Sequence, residues 1–337
     1  MRFGLFGAAQ AQRGGGPDVD SAAGFKDYID YVIEAEGLGY ESAFIVEHHF
    51  TGFGQVSATL NLLTWIGART TRLRLGTAVV VLPWHNPVLV AEQVATLDLL
   101  SGGRIDFGIG KGYRQAEFDG FCIPMAEATE RFDEAAEIIR KAWTAPHDSN
   151  GGRFSHHGKR WHYDNIIVEP APVQRPHPPL WLAAGSHDSV RRAAREGYNL
   201  LLDQLAQVDQ ITQRIAIFRE ECEKTGRPYH ANMVATARPL QMIHDESERE
   251  AAYATRKRVV SVIGDLARDA LPDRIEDDTA PLLGTPDEII ARLKQLEAGG
   301  ATNILLVDPN ASVANLRAFA REVMPAFQPA RAVSVAD

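Results

Sequence analysis

The sequence contains few cysteines, no surplus of basic residues and no long apolar run. Only Cys122 and Cys222 occur among its 337 residues, which is too few for a disulfide framework or a multi-thiolate metal site and favours a reducing, cytoplasmic compartment. The 35 basic residues are outnumbered by 44 acidic ones, for a formal charge of -9, so we expect no nucleic-acid partner. No segment reaches about 20 consecutive apolar residues and no signal-peptide pattern opens the chain, so we expect no membrane association.

What the sequence does contain is a regular alternation of two kinds of segment. The composition, 45% hydrophobic and 23% charged, is that of a globular protein. Short apolar runs alternate with longer stretches of helical period, a pattern typical of a parallel sheet with crossover helices. Strands are predicted at residues 2–8, 42–47, 73–81, 104–109, 179–184, 198–202, 233–240 and 302–307. Helices are predicted at residues 25–38, 59–68, 88–100, 126–143, 188–195, 209–225, 246–263, 286–298 and 313–324.

Eight strands with interleaved helices predict a (β/α)8 TIM barrel of the α/β class, with an open doubly wound sheet as the alternative. The strand count favours a single domain over residues 1–327, although the length alone suggests about two. Residues 145–178, rich in His, Gly and Pro, are predicted to be an insertion between helix 4 and strand 5. The acidic residues 266–283 are predicted to form a mobile lid loop before the last strand, and residues 328–337 a frayed tail.

Reactive residues of a TIM barrel lie at the C-terminal ends of its strands, and the second predicted strand ends in Glu47, His48 and His49. Strand alternation places Glu47 and His49 on one side and His48 on the other, so one histidine is expected to reach the barrel mouth. The alternatives are polar residues at the start of a surface loop, or metal ligands. The first and fifth strands end in GAA and AAG, without further ligands, so we predict no metal site.

A glycine-rich run, GIGKG at residues 108–112, follows the fourth predicted strand. A dinucleotide-binding fingerprint requires a further glycine three residues after Gly110, but Tyr113 stands there. The glycines therefore either clear space for a bulky planar ligand or serve packing within the protein.

A serine-rich turn, GSHDS at residues 185–189, follows the fifth predicted strand and opens a helix. Its hydroxyl and backbone N–H groups either bind an anion such as a phosphate or simply cap the helix. Lys111 and Arg131 are the cations that could complete an anion site there.

Taken together, these features resemble the bacterial luciferase-like flavin-dependent monooxygenases over nearly the whole chain. The matching motifs, in the family's order, are FGLF at 3–6, EHHFTGFG at 47–54, LGTAVVVLP at 75–83, NP at 86–87, AE at 91–92, LDLLSGGR at 97–104, RPHPP at 175–179, GTP at 284–286 and VMP at 323–325. The resemblance implies a (β/α)8 barrel that takes up reduced FMN, reacts it with O2 to a flavin hydroperoxide and oxygenates a small organic substrate. It also implies a separate NAD(P)H-dependent flavin reductase that supplies FMNH2, and a homodimer formed through the helices after the second and third strands.

The resemblance also assigns roles to individual residues. His48 matches the family's catalytic histidine, a side chain suited to proton transfer near neutral pH, and Glu47 and His49 are its neighbours in the pocket. Ala78 and Val79 match a place where luciferases hold a non-prolyl cis peptide against the flavin ring.

Further cofactor contacts are implied after the fourth and fifth strands. Ser186 and Ser189 match FMN-phosphate contacts, with Arg131 as a third, and Lys111 stands where luciferase has a phosphate-binding arginine. The other implied cofactor contacts are Gly110, Gly112, Tyr113 and Gly185. Gly110 replaces a reactive cysteine of luciferase and Gly185 an acidic residue, so light emission and long-chain aldehyde specificity are not implied.

Two alternatives of the same fold stay open at this point. One is a deazaflavin-dependent oxidoreductase that transfers hydride without oxygen, although the acidic balance of the chain disfavours a cofactor with several carboxylates. The other is a non-catalytic flavin-binding protein, for which the cluster of Glu47, His48 and His49 has no evident use.

Overall fold

The described part of the chain contains twelve strands and ten α-helices. The computed structural model describes residues 1–9, 22–50, 56–145, 151–262, 278–308 and 310–328. The strands are β1 Arg2–Gly7, β2 Ser42–Ile45, β3 Arg74–Thr77, β4 Val80–Val81, β5 Ile105–Gly110, β6 Phe154–His157, β7 His162–Ile166, β8 Leu180–Ala183, β9 Asn199–Leu202, β10 Val234–Met242, β11 Leu282–Gly284 and β12 Asn303–Val307. The helices are α1 Ala23–Leu38, α2 Thr59–Arg69, α3 Pro87–Ser101, α4 Gln115–Gly120, α5 Ala128–Thr144, α6 His187–Arg195, α7 Val208–Lys224, α8 Arg249–Val262, α9 Pro286–Ala298 and α10 Val313–Glu322.

Eight of the strands form a closed parallel barrel. Its order is β1, β2, β3, β5, β8, β9, β10 and β12, and the pairing of β12 with β1 completes the ring. The nine predicted helices and seven of the predicted strands are present with boundaries shifted by a few residues, and the third predicted strand is divided into β3 and β4. The (β/α)8 barrel prediction is therefore confirmed, and the open-sheet alternative is wrong.

Helix α3 shows how local sequence fixes the element boundaries. The Asn86 side chain accepts hydrogen bonds from the backbone N–H groups of Val88 and Leu89, and Pro87 occupies the first turn, where a missing N–H has no cost. Gly102, in the left-handed conformation with φ 68°, ends the helix.

The barrel interior is filled with side chains. An inner cluster consists of Phe44, Trp181, Leu201, Ala235 and Leu305. A larger apolar cluster lies between the outer face of the barrel and the helices. The barrel is thus a packed core, which leaves the loops at the C-terminal ends of the strands to form a site.

One predicted strand was wrong in its extent, and one helix was missed. The third strand is not continuous over residues 73–81, because β3 ends at Thr77 and the separate strand β4 pairs with β5 beyond it. Helix α4, directly after the glycine-rich run, was not predicted at all; its six residues are too few to show a helical period.

The two segments that interrupt the βα alternation differ in how far they are described. Within residues 145–178, β6 and β7 form an antiparallel pair. Most of the segment predicted as a lid, and residues 329–337 of the predicted tail, lie outside the described residues. Residues 282 and 283 of that predicted loop belong to strand β11, which pairs with β10. In the described ranges, no helix is both long and apolar enough to cross a membrane.

Candidate active site

The chain after β2 places three consecutive ionisable side chains in two different environments. Glu47 and His49 are buried, with 3% and 9% of their surface exposed. His48 lies on the other side and is partly exposed. This is the division that strand alternation predicts, although the last strand residue is Ile45.

The Glu47 carboxylate lies at the centre of a buried hydrogen-bond network. Its Oε1 accepts from His85 Nε2 at 2.6 Å and from His49 Nε2 at 3.1 Å, and its Oε2 accepts from the Val81 backbone N at 2.7 Å. Burial by itself would raise the pKa of Glu47, but these hydrogen bonds outweigh it and hold the pKa below its ordinary value. Glu47 is therefore an ionised carboxylate that joins the chain after β2 to β4 at Val81 and to His85 beyond it.

Aromatic rings enclose the His49 imidazole. Its ring centroid lies 4.7 Å from that of Phe121, 5.4 Å from that of Trp84 and 5.7 Å from that of Phe50. Trp84 in turn stacks on Phe121 at 5.2 Å. His49 is thus held inside the loop cluster, where its contacts position the chain around His48.

His48 is paired with a carboxylate that sequence reasoning missed. Its Nδ1 donates to Glu117 Oε1 at 3.0 Å, and the His49 backbone N donates to the same oxygen at 2.9 Å. The Glu117 side chain is 2% exposed and that of His48 is 16% exposed. Because Nδ1 is engaged with Glu117, Nε2 is the ring nitrogen directed to other partners.

Glu117 could have been found only by its position. It lies in α4, seven residues after β5 ends at Gly110, and so follows a barrel strand at its C-terminal end, where site residues are expected. Nothing in the short sequence of α4 marks this acidic residue as different from Asp119 in the same helix.

The implied flavin contact at Ala78 and Val79 lies where β3 gives way to β4. The peptide bond between them is cis, and the Ala78 backbone N donates to the Ile45 carbonyl at 2.7 Å. Both side chains pack against the inner cluster of the barrel. The hydrogen bond from Ala78 to Ile45 thereby joins the residue after β3 to the end of β2.

The glycines of β5 serve packing within the protein. A Cβ at Gly108 would lie 1.9 Å from the Thr77 carbonyl oxygen, and a Cβ at Gly110 would lie 2.5 Å from Val79 Cγ2. Gly108 tolerates no side chain, because the neighbouring atom belongs to the backbone, whereas at Gly110 the Val79 side chain would have to move. Packing within the protein therefore explains Gly108, and both interpretations stay open for Gly110.

Lys111, Tyr113 and Arg114 follow the C-terminal end of β5. Gly112 has φ 76° and Lys111 is exposed. The Tyr113 ring meets the His48 ring edge to face at 6.3 Å, and the Arg114 guanidinium lies 5.4 Å from the Tyr113 centroid. Of the predicted cofactor contacts after β5, Tyr113 is thus the residue whose ring packs against the His48 ring.

Arg131, implied as a phosphate contact, is engaged with a carboxylate. Its Nε donates to Glu127 Oε2 at 2.9 Å, and Nη2 lies 2.9 Å from the same oxygen. Arg160, in the turn between β6 and β7, also pairs with Glu127; its Nη1 lies 2.8 Å from Glu127 Oε2. Within the described ranges no hydrogen bond joins Arg131 to Ser186 or Ser189.

The serine turn caps its own helix. Ser186 is the N-cap of α6 and accepts from the Ser189 backbone N at 3.3 Å, while the two hydroxyls lie 2.9 Å apart. Gly185 has room above it, because a Cβ there would meet nothing nearer than Asp203 Oδ2 at 3.6 Å. Capping therefore accounts for the local geometry, and a phosphate would require the hydroxyls to change partners.

The described residues include no group of three or more His, Cys, Asp or Glu side chains arranged to hold a metal ion. The chemistry available is that of the imidazole and carboxylate pair of His48 and Glu117. Such a pair can hold or pass on a proton.

Comparison with known proteins gives the family. Residues 1–303 match the model of a family described as luciferase-like monooxygenase. The chain is 33% identical to an uncharacterized protein, y4vJ of Sinorhizobium fredii, over 61% of this chain and 56% of that one, so it spans little more than half of that relative. It is 26% identical to the oxygenase component of a flavin-dependent trigonelline monooxygenase of Acinetobacter baylyi, over 97% and 96% of the two chains. It is 27% identical to an FMNH2-dependent dimethylsulfone monooxygenase of Pseudomonas putida, over 80% and 79%.

Solved structures agree on the fold. The crystal structure of the monooxygenase RslO1 from Streptomyces bottropensis superposes with a TM-score of 0.82 at 26% identity, covering 97% of this chain and 100% of that one. A coenzyme F420-dependent tetrahydromethanopterin reductase from Methanopyrus kandleri superposes with a TM-score of 0.73 at 17% identity, over 97% and 99% of the two chains. The second likeness shows the shared fold alone.

Proposed function

Because the chain belongs to the luciferase-like monooxygenase family, we propose that it is an FMN-dependent monooxygenase of a small organic substrate. In the proposed reaction, reduced FMN, dioxygen and substrate give oxidised FMN, oxygenated substrate and water; two electrons and two protons come from the flavin. The observation that carries the proposal is the pairing of His48 with the buried Glu117 at the strand ends. A protein that only stores flavin has no need of an oriented imidazole there.

The residues around the strand ends fit a flavin. Bound reduced flavin would supply the electrons that activate oxygen. The Ala78 and Val79 segment offers an apolar surface for the ring, between β3 and β5. Ser186, Ser189 and the start of α6 would hold the phosphate, since a helix N-terminus favours an anion. Lys111 is exposed and can reach toward an anion, whereas Arg131 would have to share its guanidinium with Glu127.

His48 would handle the proton that accompanies oxygen transfer. With Nδ1–H donated to Glu117, neutral His48 presents Nε2 as an acceptor, and the protonated ring presents it as a donor. The Glu117 carboxylate keeps the ring oriented through this cycle and stabilises the charged form. Tyr113, edge-on to the imidazole, limits the access of water from one side.

Glu47 and His49 would act through His48 instead of on the substrate. Both are buried, and their hydrogen bonds tie β2 to Val81 and His85. The network thus holds the backbone on either side of His48. We assign them as positioning residues.

The partners follow from the same assignment. A relative is named the oxygenase component of its monooxygenase, and we propose that a separate NAD(P)H-dependent flavin reductase supplies FMNH2 to this chain as well, in the cytoplasm. Helix α2 exposes Trp65, and α3 exposes Leu89 and Leu100, at 60%, 52% and 69%. Gln93 and Thr96 lie between the two leucines on the exposed face of α3. This uncharged surface supports a homodimer, which sedimentation velocity tests.

One anaerobic experiment tests the proposal. The protein is mixed with reduced FMN, oxygen is admitted, and the return of the oxidised-flavin spectrum is followed by stopped flow. We expect bound flavin to re-oxidise more slowly than free flavin, and a substrate to accelerate the return. Tight binding of a reduced deazaflavin with no effect on FMN re-oxidation would instead establish the hydride-transfer alternative.

A further inference from the structure

A second imidazole lies against a buried carboxylate at the C-terminal rim of the barrel. His85 follows the short turn Leu82–Trp84 directly after β4, and Val81 of β4 pairs with Gly110, the last residue of β5. The His85 ring therefore lies at the end of the barrel where the site of a TIM barrel is expected. No sequence motif marks it as a site residue.

His85 and Glu47 repeat the arrangement of His48 and Glu117. His85 Nε2 lies 2.6 Å from Glu47 Oε1, and His48 Nδ1 lies 3.0 Å from Glu117 Oε1. Both carboxylate side chains are 2% exposed, whereas the two imidazoles are 32% and 16% exposed. Each carboxylate also accepts a hydrogen bond from one backbone N–H group. The rim thus contains two imidazole–carboxylate dyads.

The two ring nitrogens of His85 have different surroundings. Because Glu47 is ionised and acts only as an acceptor, Nε2 carries the proton of the neutral His85 ring. Nδ1 has no hydrogen-bond partner among the described residues, and it is not one of the buried side-chain atoms that lack a partner. Nδ1 therefore reaches solvent, where it can bind or release a proton while the bond to Glu47 stays in place.

His49 shares the same Glu47 oxygen but is less suited to hold a charge. Its Nε2 lies 3.1 Å from Glu47 Oε1, against 2.6 Å for His85. Its side chain is 11% exposed, against 32% for His85, and three aromatic rings surround it. One carboxylate can neutralise one imidazolium, and burial disfavours the charged form of a ring. The more exposed His85 is therefore the ring that takes the additional proton.

Among the described residues, Glu47 is the charged group within ion-pair distance of His85. The ionisable groups of the neighbouring elements are engaged elsewhere. The buried carboxylate of α4 belongs to the first dyad. In α5, which packs against the turn before His85, Glu134 accepts from His156 Nε2 and from two backbone N–H groups of the segment between β6 and β7. Tyr163 of β7 donates to the N-cap side chain of α3 at 3.4 Å, and burial raises the pKa of its phenol, which stays neutral. The charge on His85 thus depends on Glu47.

We propose that Glu47 and His85 form a second proton-binding dyad of the active site, in which Glu47 orients the ring and His85 exchanges one proton with solvent. The proton on His85 neutralises the charge of Glu47, so the electrostatic field at the rim changes with pH while the hydrogen bond is kept. The consequence for catalysis rests on the proposed monooxygenase function, in which protons move as bound flavin is re-oxidised. The dyad accepts and returns one of them in each cycle, so the overall proton balance of that reaction is unchanged.

Nuclear magnetic resonance of the protein without flavin tests the dyad directly. Histidine labelled with 15N in the ring is incorporated, the ring-nitrogen shifts are followed from about pH 5.5 to about pH 9, and His85→Gln identifies the His85 signals. We expect the neutral ring to carry its proton on Nε2 in His85 and on Nδ1 in His48, and His85 to gain a second proton on acidification. The dyad is ruled out if neutral His85 carries its proton on Nδ1, or if its shifts stay constant over this range.

A glutamine at position 85 separates proton binding from structure. In His85→Gln the amide N–H can still donate to Glu47 Oε1, but the side chain binds no proton. We expect the urea midpoint and the FMN affinity to stay near those of the unchanged protein. The re-oxidation of bound reduced FMN by oxygen, followed by stopped flow without added substrate, is expected to follow two ionisations in the unchanged protein and one in His85→Gln. The two rates are expected to differ at least about threefold on the acidic side of the profile.

His244→Gln is the matched control, because His244 Nε2 is also bonded to a carboxylate, that of Glu322 at 2.9 Å, but at an exposed position between β10 and α8. Its pH profile is expected to keep both ionisations. The inference fails if His85→Gln keeps both as well, or if the control loses one. If the unchanged protein has no effect on FMN re-oxidation at any pH, the proposed monooxygenase function fails instead, and the labelled spectra still decide whether the dyad exists.

Discussion

The chain after β2 and the first turn of α6 both carry predicted site residues, but different contacts hold them. Glu47 is bonded to Val81, 34 residues away, and His48 to Glu117, 69 residues away. Ser186 and Ser189 are bonded to each other, three residues apart. The first region exists only because the barrel brings distant segments together, whereas the second could form in any helix that starts with serine.

This difference separates two kinds of functional residue. The Glu47 side chain is buried and its two oxygens accept three hydrogen bonds, so substitutions there are expected to disturb both fold and chemistry. In the α6 turn the hydroxyls are near solvent and satisfy one another, so substitutions are expected to disturb ligand binding and little else. Four predictions test this contrast.

The largest effect is expected for Glu47→Ala. The change removes the acceptor for His49, His85 and the Val81 N–H at once, and leaves the His49 and Val81 donors buried without a partner. We expect the free energy of unfolding to fall by about 3–5 kcal/mol, measured by urea denaturation. Glu41→Ala, at an exposed carboxylate paired with Arg2 just before β2, is the control, with an expected loss under about 1 kcal/mol. Equal losses would show that the Glu47 network does not stabilise the fold.

His48→Ala is expected to separate chemistry from folding. Loss of a positioned proton donor and acceptor typically costs about 10²–10⁴-fold, so we expect most of the oxygen consumed to appear as free hydrogen peroxide instead of oxygenated product. FMN affinity is expected to stay near that of the unchanged protein, and the free energy of unfolding is expected to fall by less than in Glu47→Ala, because Glu117 keeps its bond from the His49 backbone N. His244→Ala, at an exposed histidine paired with Glu322, serves as the control. Normal coupling in His48→Ala would rule out the assigned role.

Glu117→Gln is expected to have a smaller effect of the same kind. A glutamine can donate its amide N–H to His48 Nδ1 and so favour the wrong ring tautomer, which reduces turnover by at least about tenfold. Glu117→Asp, which keeps the charge, is expected to recover part of the loss. Asp119→Asn in the same helix, where the carboxylate accepts from Gln115, is the control. If turnover falls equally in Glu117→Gln and Glu117→Asp, the charge of Glu117 is not what matters, and the residue acts only through its packing.

The smallest effect on stability is expected in the α6 turn. Replacing Ser186 and Ser189 by Ala together removes the N-cap and is expected to cost about 1 kcal/mol of unfolding free energy. FMN binding is expected to weaken more than riboflavin binding, because only FMN carries the phosphate. Ser312→Ala removes the equivalent cap of α10 and is expected to cost similar stability without any change in FMN affinity. Equal weakening of FMN and riboflavin binding would show that the FMN phosphate does not bind at this turn.

The barrel and the location of the candidate site can both be predicted from local sequence patterns. Alternation of apolar runs and helical periods is a local property, so eight strands and nine helices could be read from it. The side of the chain on which Glu47, His48 and His49 lie also follows from the period of two in an extended chain.

Which polar groups pair with one another depends instead on contacts across the fold. Glu117 and His85, distant in the chain from Glu47 and His48, reach them because the ends of neighbouring strands meet at one rim of the barrel. The break after Thr77 and the close approach of Val79 to Gly110 likewise depend on contacts between strands. Burial and pairing depend on distances between segments that lie far apart in the chain, which local sequence patterns do not encode.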